Sequence, residues 1–487
     1  MAPKGATLRL SARSNKTESH VERMARAGLQ KAADGLPEMD RLLAEGLPKA
    51  VEQFVGSLRK LQSRDDLLNS AVPLEPAKNL RQVVWHFRDL SWRTAVHPEQ
   101  ATKLGEALAE PLKIIQAISV LIEGMDLQSL IRGENPDNLA GALLLGLENW
   151  TLYCVLASSY GVPHKLVIEE VTAGILKSLK EMLRQIIGPL QASESDRSKK
   201  APGEGQAGDL PFSAEHASAL CTSVAELLQA LHEFLSRHRL AEDQLHQLIH
   251  IALSIFFLGE PNFRLCAAAE EVLVTIFSRH EALRSSVLQE FLSRAPRLPT
   301  GKRAKKFQMP ATEESGAYGL STWTHLLLRL CQSACLPLRE PIGSDVDFES
   351  VVECRPAAQS VISQLVAGLL QRLVLSRSKD EEARLIMEDF TDEVFSAAFK
   401  PMWPGLLEKH RQTWSAVLRL RQMVQQLIAF LQEKKQAGDI TVREFTLKLL
   451  SGRHVDCLWL RIVACINQGP LFLAEGCCPC NRSCCWS

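Results

Sequence analysis

The stretch Asn262–Arg303 constrains the fold more than any other part of the chain, because it has the pattern of two amphipathic helices with almost nothing between them. In its first half, apolar residues recur every three or four positions, which places them on one helical face. These residues are Leu265, Ala268, Ala269, Val272 and Ile276. The same spacing predicts that Glu270, Glu271 and Arg279 lie off that buried face.

The second half of the stretch repeats apolar residues at every fourth position, at Leu283, Val287 and Phe291. The break at His280–Glu281 is too short for anything but an antiparallel helical hairpin. Neither helix can bury its apolar face alone, so each pair needs a neighbouring pair. Helical pairs stacked in this way form an α-solenoid.

The rest of the sequence agrees with this fold class. Good helix formers dominate the periodic segments, and β-rich runs are almost absent. Helical pairs recur at roughly 40 residues, which is the spacing of HEAT and armadillo repeats. We therefore predict an all-α fold, an α-solenoid of HEAT-like helical pairs with an N-terminal helical domain.

The clearest linker is Gln191–Asp209, which is polar, rich in Gly, Pro and Ser, and without periodicity. Its residues Ser193, Ser195 and Ser198 are candidates for phosphorylation. The predicted organisation is a disordered start (1–16), a helical domain (17–190), the linker (191–211), HEAT-like repeats (212–404), further helices (405–450) and a Cys-rich tail (451–487).

Two prolines are predicted to interrupt helices. Pro48 should restart one helix, and Pro111 should kink or split another. A shorter polar break is expected at Ala304–Ser321, so the basic residues just before and within it are predicted to form a Pro-flanked turn.

Charge and apolar patterning predict an intracellular, soluble chain. The 56 basic and 56 acidic residues cancel, so any contact with nucleic acid must come from a local patch. Residues 1–16 are basic and polar without an apolar run, and Leu248–Leu258 is too short to cross a bilayer. The scattered cysteines, such as Cys154, Cys221 and Cys266, are predicted to be small buried residues in a reducing compartment.

Motifs that resemble catalytic or cofactor sites lack the context that such sites need. Gly203–Gly208 spells G-x-G-x-x-G inside a polar linker, without a strand before it or a helix after it. Four histidines, His232, His238, His246 and His250, are predicted to share two helices. They form either an ordinary half-buried face or, less favoured, a metal site. We predict no enzyme activity and no cofactor.

Cysteine pairs allow two interpretations. Cys331 and Cys335 are four residues apart on one predicted helix, which favours core packing. In the tail, Cys477 and Cys480 have C-x-x-C spacing, and Cys484 and Cys485 follow. We expect this tail to be disordered or a non-native end of the chain, and a zinc-binding regulator is the weaker alternative.

Basic residues concentrate around Pro299–Gly301 and form the one candidate binding site. They are Arg294, Arg297, Lys302, Arg303, Lys305 and Lys306. A solvated loop, contact with DNA phosphates and a nuclear localisation signal all remain open for this basic segment. Without interleaved aromatic residues, any DNA contact would be to the backbone.

Three blocks of the sequence, in the same order and spacing, resemble the Nipped-B-like family, the large subunit of the cohesin loading complex. The blocks are Leu156–Lys165 with Ile168–Val171, the central Leu265–Arg303, and Met387–Phe390 with Phe399–Pro404. The resemblance covers roughly Val120–Pro404. Family members are much longer, so the chain is expected to hold only the early helical domain and the first repeats.

The resemblance implies a non-enzymatic nuclear scaffold that promotes cohesin loading on chromatin and sister chromatid cohesion. The implied partners are cohesin subunits, the small subunit of the loader and the DNA backbone, with no membrane. Residues 1–16 give no match to the segment by which the family binds its small subunit. The alternative is a general HEAT-repeat adaptor that binds proteins without touching DNA.

Overall fold

The structure is a computed structural model of the chain. It describes residues 38–69, 74–93, 98–125, 127, 136–159, 169–189, 212–299, 301–309, 320–335, 355–376 and 381–398. The predicted linker 191–211, the start 1–16 and the segments 405–450 and 451–487 lie outside the described residues. The G-x-G-x-x-G motif and the tail cysteines fall in those parts.

Every regular element of the described residues is helical, apart from one isolated antiparallel bridge between Gln308 and Ser321. This confirms the predicted all-α fold. The chain divides into two compact units, one made of Met1–Asp126 and Glu134–Ile175, the other of Leu127–Gly133 and Leu176–Ser487.

The first unit packs its helices around one long apolar helix. Its elements are a π-helical segment Leu42–Gly46, α1 Leu47–Leu58, α2 Arg64–Asn69, α3 Glu75–Arg93, α4 Pro98–Glu123, α5 Pro136–Ser158 and the start of α6 Glu169–Met182. Helix α5 packs against α3, α4 and α2. Its Trp150 is fully buried and donates a hydrogen bond of 2.9 Å to Ser119 of α4.

Helix α5 also corrects the expectation that no apolar stretch is long enough for a membrane. By length and composition alone it passes that test, since Asp137–Ser158 has a mean hydropathy of 1.5. However, 89% of the apolar window is buried inside the protein, which is typical of a core helix.

The two prolines behave differently from each other. Pro48 lies in the first turn of α1, directly after the π-helical segment, as its fixed φ and missing N–H favour. Pro111 was expected to kink or split its helix, but α4 runs from Pro98 to Glu123 without a break. Pro111 is buried, and its packing among neighbouring helices offsets the lost backbone hydrogen bond.

The second unit is a series of helices that follow one another in contact. Its elements are the end of α6, a π-helical segment Leu183–Ile187, α7 Ala214–Arg237, α8 Glu242–Ile255, α9 Phe263–Arg279, α10 Arg284–Arg294, α11 Gly301–Lys306, α12 Thr322–Cys335, α13 Arg355–Ser376 and α14 Glu381–Ala398. Helices α7 and α9 each begin with a side-chain cap, because Ser213 and Asn262 accept hydrogen bonds from backbone N–H groups in their first turns.

Helix α9 is the centre of this second unit. It packs against α7, α8 and α12, while α13 packs against α10, α12 and α14. A 3-10 turn, Glu281–Leu283, joins α9 to α10. The predicted antiparallel hairpin is not a packed pair, because α9 and α10 make their main contacts with other helices. The packing therefore passes from one layer to the next, as in a solenoid.

The predicted apolar faces largely agree with the structure. Leu265, Ala269, Val272 and Ile276 of α9 are buried, and so are Leu283, Val287 and Phe291 beyond the turn. Cys154, Cys221 and Cys266 are free and buried, as predicted, and Cys331 is buried with them. Glu270 contradicts its prediction, because it is buried on α9 rather than directed to solvent.

Candidate nucleic-acid interface and the polar network beside it

The basic segment is partly helical, which corrects the expectation of a turn. Gly301 has φ +58°, a left-handed conformation that suits glycine. It is the first residue of α11 and follows the Pro-containing segment of the chain. The buried Phe307 follows α11 and packs against Trp323 in a tilted arrangement, with 4.9 Å between ring centroids. That contact fixes α11 against the start of α12.

Arg294 is held by neighbouring side chains rather than presented to solvent. Its guanidinium lies 2.5 Å from the Glu290 carboxylate, 2.8 Å from Nδ1 of His250, and over the ring of Phe257. Burial raises the pKa of Glu290, but the hydrogen bond and charge of Arg294 and the nearby His250 outweigh it, so the pKa is lowered overall. Arg294 therefore ties α10 to α8.

Lys306 is also paired. Its ammonium group lies 2.7 Å from the carboxylate of Glu260, whose side chain is only 14% exposed. The pair connects the end of α11 to the loop before α9. The charge of Lys306 is consequently balanced within the protein, and it adds little to any field outside it.

The remaining described basic residues point outward. Arg297, Arg303 and Lys305 are exposed, and among the residues that the structure describes none of the three has an acidic partner within salt-bridge distance. The side chain of Lys302 lies outside the description. The structure thus divides the five predicted residues whose side chains it describes into two that make internal contacts, Arg294 and Lys306, and three that face outward.

Arg297 and Arg303 line one side of an open cleft of about 300 Å³, which we call the arginine cleft. Glu382 and Ala383 of α14 line the opposite side. Leu298 and Ile386, both nearly buried, form its base. The cleft therefore presents two guanidinium groups and one acidic side chain above a small apolar floor.

A polar network also lies within the second unit, and no pattern in the sequence indicated it. The buried carboxylate of Glu270 lies 2.7 Å from Nδ1 of His325 and 2.9 Å from Nε of Arg329. Arg329 also bonds Glu271 at 2.6 Å. These contacts join α9 to α12, so buried charges are paired rather than left in an apolar core.

His232 extends the network to α7. Its Nδ1 lies 2.6 Å from the Thr275 hydroxyl and 3.2 Å from the backbone oxygen of Glu271. Burial lowers the pKa of His232, and the charge of Arg329 adds to this, while Glu271 opposes it. One polar network therefore links α7, α9 and α12.

The four candidate histidines do not come together in the structure. His232 belongs to the network, His238 stacks on Phe234 at 4.7 Å, His246 lies 3.9 Å from Glu242, and His250 contacts Glu290 and Arg294. In the described part of the chain, no group of three or more His, Cys, Asp or Glu side chains is arranged to hold a metal ion.

Comparison with known proteins gives one consistent result. No protein-family model matches the chain. The Nipped-B-like proteins of mouse and human are 25% and 24% identical to it over 197 residues, which is 38% of this chain and 7% of theirs. The Nipped-B-like protein scc-2 of Caenorhabditis elegans is 23% identical over 308 residues, 55% of this chain and 14% of its own length.

The chain is a distant relative of the Nipped-B-like proteins. Matches from mammals, zebrafish and a nematode all carry this name. The relationship confirms the resemblance inferred from the three sequence blocks. The chain spans 7–14% of the length of these relatives, so what a complete Nipped-B-like protein does is transferred to it only as a proposal.

Proposed function

We propose that the chain is a non-enzymatic helical scaffold that works in cohesin loading on chromatin, and thereby in sister chromatid cohesion, in the nucleus. The observation that carries this proposal is the match to Nipped-B-like proteins from several animals. The fold supports it, because stacked helices expose long continuous surfaces that suit an extended protein partner.

The chemistry of the second unit also suits a scaffold. Its most buried acid, Glu270, is engaged by His325 and Arg329, and its buried histidine, His232, contacts Thr275. These groups hold helices together. Ion pairs inside a helical stack fix which helices meet and in which register, and a scaffold depends on that rigidity.

Binding to cohesin tests the proposal. Purified full-length chain should retain purified cohesin subunits on an affinity resin, and the binding should survive moderate salt. A chain of the same length that carries Leu265→Asp and Val272→Asp, which disrupts the buried face of α9, is the control for folding-dependent binding. Failure of every cohesin subunit to bind the folded chain would contradict the proposal.

Contact with the DNA backbone through the basic segment remains a separate prediction. Lys302, Arg303 and Lys305 are its candidate residues, because Arg294 and Lys306 are engaged by acids. Duplex DNA should bind with a salt dependence that shrinks when Lys302, Arg303 and Lys305 are replaced by Glu. Binding to the small subunit of the loader likewise remains a prediction.

A protein-only adaptor is the second candidate function, and the pairing inside the basic segment favours it. Lys306 is neutralised by Glu260 and Arg294 by Glu290, so the outward field is weaker than six cations suggest. This candidate predicts no measurable affinity for duplex DNA at physiological salt. Salt-dependent DNA binding that the Glu variants abolish would exclude it.

A further inference from the structure

The outer face of the helical pair α13 and α14, defined by the exposed side chains of these two helices, carries two leucines. Leu375 of α13 is 52% exposed and Leu385 of α14 is 48% exposed. Among the large apolar side chains that the structure describes in the second unit, no others reach this exposure. The two helices are in contact, and only residues 377–380 separate them in the chain. We propose that this outer face is the docking site of a later segment of the same chain, Glu408–Lys435.

The exposed side of α13 carries no charge over about four turns. Exposed residues recur there at every third or fourth position, which places them on one helical stripe. They are Ser360, Gln364, Ala367, Gln371 and Leu375. The amide of Gln364 donates a hydrogen bond of 3.2 Å to the Ser360 hydroxyl, so a helix packed over this stripe would leave both groups bonded. Depletion of charged residues is typical of the core of an interface.

The exposed side of α14 combines its leucine with negative charge. Asp389 and Asp392 lie four and seven positions after Leu385, so the three residues share one side of the helix. Both aspartates are exposed, and neither has a basic partner within salt-bridge distance in the part of the chain that the structure describes. Glu381, at the start of the helix, already lies 3.6 Å from Arg384. The two aspartates are therefore the acids that favour a basic partner here.

The segment Glu408–Lys435 has the sequence pattern that this face requires. It lies outside the described residues, in the part of the chain that follows α14 within the same compact unit. Apolar residues at three- and four-residue spacing predict one helical stripe, formed by Val417, Leu420, Val424, Leu427 and Leu431. The segment also holds six basic and only two acidic residues, so its charge is opposite to that of the two aspartates.

The connection to α14 gives the segment its direction. Residues 399–407 contain two prolines, which favour a turn over a continued helix. A connection this short returns the chain antiparallel to the helix that it leaves. On that path Arg421 passes Asp389 and Asp392, and the apolar stripe reaches Leu385. As a helix the segment is about 42 Å long, which is enough to cover α13 at about 33 Å. The inference concerns contacts within one chain, so it does not depend on cohesin being a partner.

Hydrogen–deuterium exchange of the full chain tests the docking. The double variant Leu375→Ser with Leu385→Ser removes the exposed apolar contacts, so peptides from residues 414–431 should exchange about tenfold faster or more. The matched control is Val120→Ser, which removes a side chain that is 63% exposed in the first unit. It should change exchange in these peptides by less than about twofold. Peptides from α7–α9 should exchange equally in all proteins, which shows that the second unit stays folded.

A charge-reversal series tests the predicted register. Asp389→Lys with Asp392→Lys should also accelerate exchange in residues 414–431, because the new lysines repel Arg421. Adding Arg421→Glu should restore part of the protection, and failure of this rescue would contradict the antiparallel placement.

Dilution distinguishes the segment from a second copy of the chain. Protection within one chain should stay the same after about a hundredfold dilution, whereas protection by a second copy depends on protein concentration. Protection that is lost on dilution would assign the outer face to a second copy and overturn the proposal. Equal exchange of residues 414–431 in the parent and the leucine double variant would overturn it as well.

Discussion

At the scale of single residues, the buried acid Glu270 joins α9 to α12 through His325 and Arg329. Sequence spacing placed it off the buried face of α9, because acids are seldom buried. Its partners, His325 and Arg329, lie more than fifty positions further along the chain, and no local pattern announces them. The apolar positions around Glu270 were predicted correctly, since burial follows helical periodicity wherever the side chain is apolar.

Replacing Glu270 by Gln should therefore destabilise the second unit strongly. The change leaves His325 and Arg329 partly buried without their carboxylate, and because Arg329 keeps Glu271, we expect a loss of about 2–3 kcal/mol in the free energy of unfolding. The neighbouring Glu271→Gln is the matched control, and its more exposed side chain should cost less than about 1 kcal/mol. Urea unfolding measures the free energy of unfolding of both variants. Equal losses would show that the buried contacts of Glu270 stabilise the protein no more than the exposed contact of Glu271 does.

His232 predicts how stability depends on pH. Because burial lowers its pKa below the ordinary value of 6.5, the unfolded chain binds a proton more readily than the folded one. Neutral His232 stabilises the folded chain fully when the pH is above the pKa of His232 in the unfolded state. This contribution is lost as the pH falls below that pKa, so the free energy of unfolding should decrease from about pH 7.5 to about pH 5.5.

The variant His232→Gln should reduce this pH dependence. His246, which is half-exposed on α8, provides the control, and His246→Gln should leave the slope closer to that of the parent. The midpoint of urea unfolding at the two pH values gives the comparison. A steeper loss in His232→Gln than in the parent chain would show that His232 is not the group responsible.

At the scale of helices, close packing limits what the sequence can reveal. Helix boundaries agree with periodicity and capping, as at Ser213 and Asn262. The packing partner of each helix is harder to predict, because α10 follows α9 after a short turn yet packs mainly on α13. Lys306 could not be recognised as internal for the same reason, since its acid Glu260 comes from the loop before α9. Arg294 pairs with Glu290 of its own helix, but its further contacts with His250 and Phe257 come from distant positions.

Gly368 tests the contact between α13 and α10. A methyl group added there would approach Cδ1 of the buried Leu292 to 2.5 Å, so Gly368→Ala should destabilise by about 1–2 kcal/mol despite the better helix propensity of Ala. Gly56 of α1 has nothing within 4 Å, and Gly56→Ala should stabilise by about 0.5–1 kcal/mol. Thermal unfolding shows whether each variant is stabilised or destabilised. A Gly368→Ala protein more stable than the parent would contradict the close contact between Gly368 and Leu292.

At the scale of the whole chain, the predicted linker suggests where the chain can be cut. The sequence 191–211 is polar and holds Arg197, Lys199 and Lys200, which trypsin recognises. Limited trypsin digestion should cut there before it cuts within the helices 214–398, because packed helices must open before a protease can act. Mass spectrometry of the first fragments identifies the site, and a first cut within α7–α10 would refute the predicted linker.

The central claim, that this stack of helices serves cohesin loading through a protein surface, is tested most directly by hydrogen–deuterium exchange of the full chain with and without purified cohesin. The account predicts slow exchange across α7–α14 in the free protein, because their amides are bonded within packed helices. It predicts additional protection in peptides from the second unit when cohesin is present. Identical exchange in every peptide, with cohesin at saturating concentration, would contradict the claim.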